Sequence, residues 1–264
     1  MATVVEVLTD LLQADEYLRG LLASEAVDVS TTSPVRNVLA ELMPLIRNWA
    51  GINLVSVQPS GSFAKGTAIR SGTDIDFFLS IAPSVREPLH ALHESLFAAL
   101  RDSGYAPRRQ NVSLNIRLNG HSVDLVPAHR QNAMTEDHSL YVRKHHTWIK
   151  TNVTHHIAYV RAAKRQDEIR ILKLWRNQHS LDFPSFYLEL VAIRVLAVRH
   201  SPYLSANVHA VFEYLRDAFA HARFVDPANG NNVLSDSLTD EEKRSISAAA
   251  RVALATPRWR ETVR

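Results

Sequence analysis

Residues 61–76 read GSFAKGTAIRSGTDID, and this stretch decides the fold. It lies between two strand-like segments. Upstream, Asn53–Gln58 (NLVSVQ) alternates apolar and polar residues. Downstream, Asp74–Ile81 (DIDFFLSI) is β-branched and aromatic, the composition of a half-buried strand. Alternate side chains of a strand share a face. Asp74 and Asp76 therefore project together, while Ile75 and Phe77 turn to the core. Two neighbouring carboxylates repel unless a positive charge sits between them, and a hard divalent cation such as Mg²⁺ suits such oxygen ligands.

A third acid follows. Val112–Leu118 (VSLNIRL), Asn119-Gly120 and His121–Val126 (HSVDLV) predict a hairpin, since Asn-Gly is the strongest short-range signal for a tight turn. Asp124 sits mid-strand there between Val123 and Leu125, where Asp is disfavoured. Three carboxylates on adjacent strands could hold two metal ions, an arrangement suited to in-line phosphoryl or nucleotidyl transfer. Gly61 permits close backbone approach to a phosphate, and Ser62 can donate its hydroxyl to a phosphate oxygen. Taken alone, Gly61-Ser62 also reads as an ordinary turn and Asp-x-Asp as a surface pair. A strand, Gly-Ser, eleven residues, Asp-x-Asp and a later strand Asp in series are more specific.

Outward from this centre the pattern becomes helical. Residues 3–26 carry apolar side chains at helical spacing, and Ser33-Pro34 opens a helix to about Trp49, with Pro at its first position. Glu87-Pro88 opens another, ending near Ser103-Gly104. Beyond residue 150 strand signals stop. Helices are predicted over His155–Gln178, Phe183–Arg199, Asn207–Phe219 and Thr239–Thr256. Asp226–Asn232 reads as a polar loop, and Pro257–Arg264 as a frayed end. The prediction is an α+β chain: residues 1–140 hold N-terminal helices and a mixed sheet with the carboxylates, and residues 141–264 form a helical domain.

Composition excludes several classes. Of 264 residues, 46% are hydrophobic and 22% charged, which is ordinary globular usage. No apolar run is long enough for a membrane span, and the acidic N-terminus argues against export, so a cytoplasmic protein is expected. The absence of cysteine rules out disulfides, Cys-based zinc sites and thiol nucleophiles. The net charge of +3 is unevenly spread: residues 101–180 carry 14 Lys/Arg against 6 Asp/Glu, and residues 1–100 carry 6 against 11. The basic middle suits a polyanion, either nucleotide phosphates or nucleic acid, but it is also compatible with a solvated surface. Adjacent histidines on a helix point about 100° apart, so His145-His146 and His155-His156 are not read as metal sites.

The Gly61–Asp76 motif resembles the signature of the DNA polymerase β-like nucleotidyltransferase superfamily, and Val123–Pro127 (VDLVP) resembles the position of its third carboxylate. Trp148–Val160 (WIKTNVTHHIAYV), Ile169–Trp175 (IRILKLW), Pro184–Leu190 (PSFYLEL) and Asp226–Val233 (DPANGNNV) follow in order. This series resembles bacterial cyclic-oligonucleotide synthases of anti-phage defence and the related oligoadenylate synthetases. The resemblance covers roughly residues 54–255. It implies a nucleotide-binding palm joined to a helical domain, with the active site in the cleft between them.

Residue by residue, the resemblance makes Asp74, Asp76 and Asp124 the catalytic, metal-binding triad for two Mg²⁺ ions, with Mn²⁺ as a substitute. It implies that Gly61 and Ser62 contact the triphosphate, that Lys173 grips it and that Ser185 assists. Tyr187 is the candidate for stacking on a base, and Asn231 and Asn232 for closing the cleft or capping a helix. On its own pattern Lys173 reads first as a lysine snorkelling to water, and Glu189 reads as a helix or salt-bridge residue. The implied activity joins nucleoside triphosphates into a short cyclic or linear oligonucleotide signal and releases pyrophosphate. Two alternatives stay open. One is template-independent addition to a nucleic-acid 3′ end, which the basic 101–180 segment suits. The other is a binding module with a dead site, against which the intact carboxylate set argues.

Overall fold

The computed structural model describes the chain except residues 1–3, 29, 31–32, 73 and 200, with side chains from residue 8 onward. The start of the first predicted helix and Thr73 of the central motif therefore lie outside the described residues. The elements run α1 (Val4–Ser24), α2 (Pro34–Ala50), β1 (Leu54–Pro59), α3 (Gly61–Lys65), β2 (Ile75–Ile81), α4 (Leu89–Asp102), β3 (Arg108–Arg109), β4 (Leu114–Leu118) and β5 (His121–Arg130). There follow β6 (His138–Val142), β7 (Thr147–Thr151), α5 (Val153–Ala162), α6 (Gln166–Gln178), α7 (Ser185–Leu196), α8 (Leu204–Asp217), β8 (Val225–Asp226), β9 (Asn229–Val233), α9 (Asp240–Ala255) and α10 (Trp259–Thr262).

The sheet has strand order β1-β2-β5-β4-β3, and β6 joins β5 to β7. It is mixed. Strands β2 and β5 are parallel, and the other pairs are antiparallel. The Asn119-Gly120 turn has positive φ at both residues, as a type I′ hairpin turn requires. That turn fixes the register of β4 against β5.

Two main hydrophobic clusters result. In the first, Ile75, Phe77 and Leu79 of β2, Val123 and Leu125 of β5, and Leu114 and Ile116 of β4 pack under α2 and α4. The second is helical and aromatic, built on Trp175, Phe183, Tyr187, Phe212, Phe219 and Phe224. It also takes Leu18 and Leu22 of α1, so the first helix packs with the C-terminal helices while α2 packs with the sheet. A third, small cluster of Phe78, Ala128 and Leu140 lies on the opposite sheet face, where β6 and β7 fold over.

Several local predictions change. Residue 140, the expected boundary, lies inside β6. The single helix expected over 155–178 is two, because Lys164 takes a left-handed φ of 52° between α5 and α6. The polar 226–232 stretch is a small hairpin rather than a loop. The C-terminal segment is not frayed: Val263 is fully buried, and its carbonyl accepts a 2.8 Å bond from the Tyr17 hydroxyl. The predicted start of α9 is confirmed, with Thr239 and Glu242 forming a reciprocal capping box.

Candidate active site

Sheet register builds the centre of the site. Asp76 of β2 pairs with Asp124 of β5 in the parallel ladder. Because Ile75 and Phe77 point into the core, both carboxylates emerge on the other face. Asp74 precedes β2 and is exposed. Burial pushes the Asp76 carboxyl up to about 7, and the charges of Asp124 and Asp74 add to the rise, while Lys65 and Lys173 oppose it. Burial likewise raises Asp124, against hydrogen bonds from its neighbours. Asn115 Nδ2 donates to Asp124 Oδ1 at 2.7 Å; the Ser113 hydroxyl lies 3.3 Å from Oδ2, with a nearer acceptor for its one proton in Gln110 Oε1 at 2.8 Å.

Gly61 closes this site from the other side. Its φ is +56°, and a Cβ built there would lie 1.8 Å from Asp76 Oδ2. Only glycine allows the backbone this close to the carboxylate. The Ser60 amide donates to the Asp76 carbonyl at 2.8 Å, which fixes the turn against β2. Ser62 is half-buried within α3.

The helical half meets this turn through a buried charge cluster. Glu189 of α7 is fully buried and accepts from Lys65 Nζ at 2.6 Å, Lys173 Nζ at 2.7 Å and Thr67 Oγ1 at 2.7 Å. Lys173, only 2% exposed, also donates to Thr67 Oγ1 at 2.9 Å and to the Thr67 carbonyl at 3.3 Å. An ammonium has three protons, and all three of Lys173's have acceptors inside the protein. Burial raises the Glu189 carboxyl, but the two lysines outweigh it and hold the group below its ordinary value.

The remaining sequence candidates are placed differently. Ser185 begins α7, and its hydroxyl accepts a 2.8 Å bond from Arg176, which also binds the Phe183 carbonyl. Tyr187 is 0% exposed, with its ring against Phe183, Phe219 and Phe224. That leaves no open ring face for a base: an aromatic at helical spacing has gone to the core. Asn232 Nδ2 donates to Asp226 Oδ2 at 3.1 Å inside the small hairpin, and His156 Nε2 reaches Asp226 Oδ1 at 2.7 Å.

Sequence reasoning missed the roles of Lys65, Thr67, Ser113, Asn115 and Arg176. One of them was findable. A two-residue turn at 119–120 places Asn115 directly opposite Asp124. Lys65 and Thr67 depend on contacts between distant segments, and Ser113 and Arg176 on the way nearby loops fold back.

The donor set suits a hard cation. Asp74, Asp76 and Asp124 offer only carboxylate oxygens, and their mutual repulsion favours a bound divalent ion. Among the described residues no three Asp, Glu or His side chains already stand as a ready-made ligand set. Asp124 is turned toward Asn115 and Ser113 instead.

A mixed sheet with acidic residues paired on adjacent strands, beside a Gly-Ser turn and backed by helices, is a DNA polymerase β-like nucleotidyltransferase fold. Solved structures of this fold that the chain resembles include bacterial CD-NTases and the Cid1 poly(U) polymerase, the latter with a TM-score of 0.67 at 10% identity over 92% of this chain and 93% of that one. The curated cyclic AMP-AMP-AMP synthase of Escherichia coli (strain MS 115-1) is 29% identical over 203 residues, 67% of this chain and 63% of that protein. The match thus spans less than two thirds of that relative's length. The solved structure of E. coli MS115-1 CdnC with ATP superposes with a TM-score of 0.74 at 22% identity, covering 91% of this chain and 90% of that one. The Bradyrhizobium diazoefficiens CD-NTase CdnG in complex with GTP gives a TM-score of 0.72 at 13% identity, covering 91% of each chain. No family model matches the chain.

Proposed function

We propose that this chain is a nucleotidyltransferase that joins nucleoside triphosphates into a short cyclic or linear oligonucleotide, a signal suited to anti-phage defence. The observation that carries the reading is the Asp76–Asp124 pair, in register on one sheet face with Gly61 pressed against it. The 29% identical synthase of cyclic AMP-AMP-AMP supports the product class.

In this reading a ribose hydroxyl of one nucleotide attacks the α-phosphorus of a second. The new P–O bond forms, the bond to pyrophosphate breaks, and the hydroxyl proton is lost to water. Asp74, Asp76 and Asp124 would hold Mg²⁺, or Mn²⁺ in its place, which when bound supplies charge neutralisation and activation of the attacking oxygen. Asn115 orients the Asp124 carboxylate, which serves the attacking side. Gly61 and Ser62 receive the triphosphate where backbone can approach closely. Lys65 and Lys173 contribute positive potential behind it. Lys173 acts from within the buried cluster, and Ser185 is oriented by Arg176.

A second reading is extension of a nucleic-acid 3′ end. It is favoured by the β6–β7 hairpin tip, where Arg143, Lys144, His145 and His146 are exposed beside Trp148, which is 58% exposed. Basic side chains with an open aromatic suit single-stranded nucleic acid. No helix among the described residues is long and apolar enough to cross a membrane.

Incubation with all four labelled ribonucleoside triphosphates and Mg²⁺, with and without an RNA primer, decides the matter. Phosphatase-resistant product without primer is expected. Product only on the primer would establish the second reading, and no turnover at all would remove both.

A further inference from the structure

The Gly61–Lys65 segment is held at both ends. At its start, the Ser60 amide binds the Asp76 carbonyl at 2.8 Å, and Gly61 lies against the Asp76 carboxylate. At its end, Glu189 takes Lys65 Nζ at 2.6 Å and Thr67 Oγ1 at 2.7 Å, and Lys173 reaches the Thr67 carbonyl. The segment is short and internally hydrogen-bonded. The Ala64 amide bonds to the Ser60 carbonyl at 3.2 Å, and the Thr67 amide to the Ser62 carbonyl at 2.9 Å. A displacement at residues 65–67 therefore tilts residues 61–62 against β2.

The far clamp is electrostatically particular. One buried carboxylate serves two ammonium groups. Removing its charge would leave two like charges facing each other away from water, which is strongly unfavourable. Lys65 has Glu189 on one side and the face of the Phe186 ring 5.0 Å away on the other. Phe186 also belongs to α7, so both contacts that place Lys65 come from the helical half.

We propose that Glu189 is a positioning residue: from α7 it holds the Gly61–Lys65 segment in register with Asp76, and so sets where a bound triphosphate sits relative to the carboxylates. Glu189 does not meet the nucleotide; it acts through Lys65 and Thr67. The predicted effect on turnover rests on the nucleotidyl-transfer reading above.

Glu189→Gln keeps the shape and removes the charge. Hydrogen–deuterium exchange of the full chain is expected to show amides of residues 60–68 exchanging at least about ten-fold faster, while β4 and β5 keep their protection. With the four ribonucleoside triphosphates and Mg²⁺, kcat per folded molecule should fall about 100-fold and KM change less than about three-fold, because misplacement costs reaction more than binding. A residue that only stabilised the fold would lower the melting temperature and speed exchange throughout the helical cluster, leaving kcat of the folded fraction intact. That outcome overturns the proposal, as does unchanged exchange over 60–68. Should Glu189→Gln fail to fold, Thr67→Val removes the Thr67 bond to Glu189 and the acceptor it offers Lys173, while both lysines keep the Glu189 carboxylate, and the same two readouts apply with smaller amplitude. If the unaltered protein turns over no nucleotide, the nucleotidyl-transfer reading falls, and the exchange of residues 60–68 alone still decides the role of Glu189.

Discussion

Asp76 and Asp124 are register partners across the parallel β2–β5 pair, so two acids share one face of the sheet. After burial, the charge of Asp124 is the largest influence pushing the Asp76 carboxyl up to about 7. The protein thus holds like charges together where a water-exposed surface would separate them. Such an arrangement is costly to stability and useful to cation-dependent chemistry.

Asp76→Asn separates those two effects. It removes one of the like charges, so without divalent metal the melting temperature should equal or exceed that of the unaltered protein. Mg²⁺-dependent turnover of nucleoside triphosphates should be lost, by at least about 1,000-fold on the scale of removing a principal charge-stabilising group. A variant that melts lower yet still turns over nucleotide would show that Asp76 is structural.

Gly61→Ala tests the close approach. The new methyl would overlap the Asp76 carboxylate on a left-handed backbone. Overpacking of this kind costs about 1–3 kcal/mol, and the backbone conformation adds about 1–2 kcal/mol. Denaturant titration should show the loss, accompanied by loss of triphosphate turnover. Unchanged stability would mean that Asp76 has room to move aside.

Tyr187 gives a test with opposite signs. Its ring is enclosed, and its hydroxyl finds no hydrogen-bond partner among the described residues. Tyr187→Phe should be neutral or stabilising, by up to about 1–3 kcal/mol, since an unsatisfied buried hydroxyl is removed. Tyr187→Ala should cost about 3–5 kcal/mol. In Tyr187→Phe, kcat/KM should stay within about two-fold of the unaltered enzyme. Tyr187→Leu removes the ring, and a selective loss of affinity for one base in its folded fraction would restore the stacking role.

Asp226 supplies a pH dependence away from the carboxylate centre. A carboxylate can only accept, so His156 Nε2 donates to it at 2.7 Å. Burial raises the Asp226 carboxyl, but the His156 hydrogen bond and charge outweigh it and set the group below its ordinary value. A lowered acid stabilises the fold above its unfolded-state value, and that contribution fades as pH falls through the folded one. The stability difference between the unaltered protein and Asp226→Asn should therefore be full at pH 7 and shrink below about pH 4. A constant difference from pH 7 to pH 3 would show that the pair is unimportant.

Much of the site was legible because it is local. The Gly61-Ser62 turn, the alternation of Ile75 and Phe77 with Asp76, and the Asn119-Gly120 hairpin each follow from neighbours in sequence. Together they imply the sheet face on which Asp76 and Asp124 meet. What escaped is what distant segments decide. Nothing near Lys173 signals that Glu189 and Thr67 will take up all its protons. Lys164 carries no Gly or Pro cue for the break between α5 and α6, where the Gln166 side chain donates to the Val160 and Arg161 carbonyls at 3.1 and 3.2 Å. Strands β6 and β7 hid behind polar and histidine-rich composition, since only the small Phe78 cluster gives them an apolar face.

The placement of α1 limits how the molecule can open. This helix belongs to the aromatic cluster, whereas α2, which follows it, lies under the sheet. The chain therefore passes between the two bodies twice, once from α1 to α2 and again from β7 into α5. One crossing would act as a universal joint, leaving each body free to swivel. Two separated crossings tie the bodies together at two places and so restrict how far one can swivel against the other. On the proposed nucleotidyl-transfer reading, any parting of the two bodies would have to break the contacts of Glu189 with Lys65, Lys173 and Thr67.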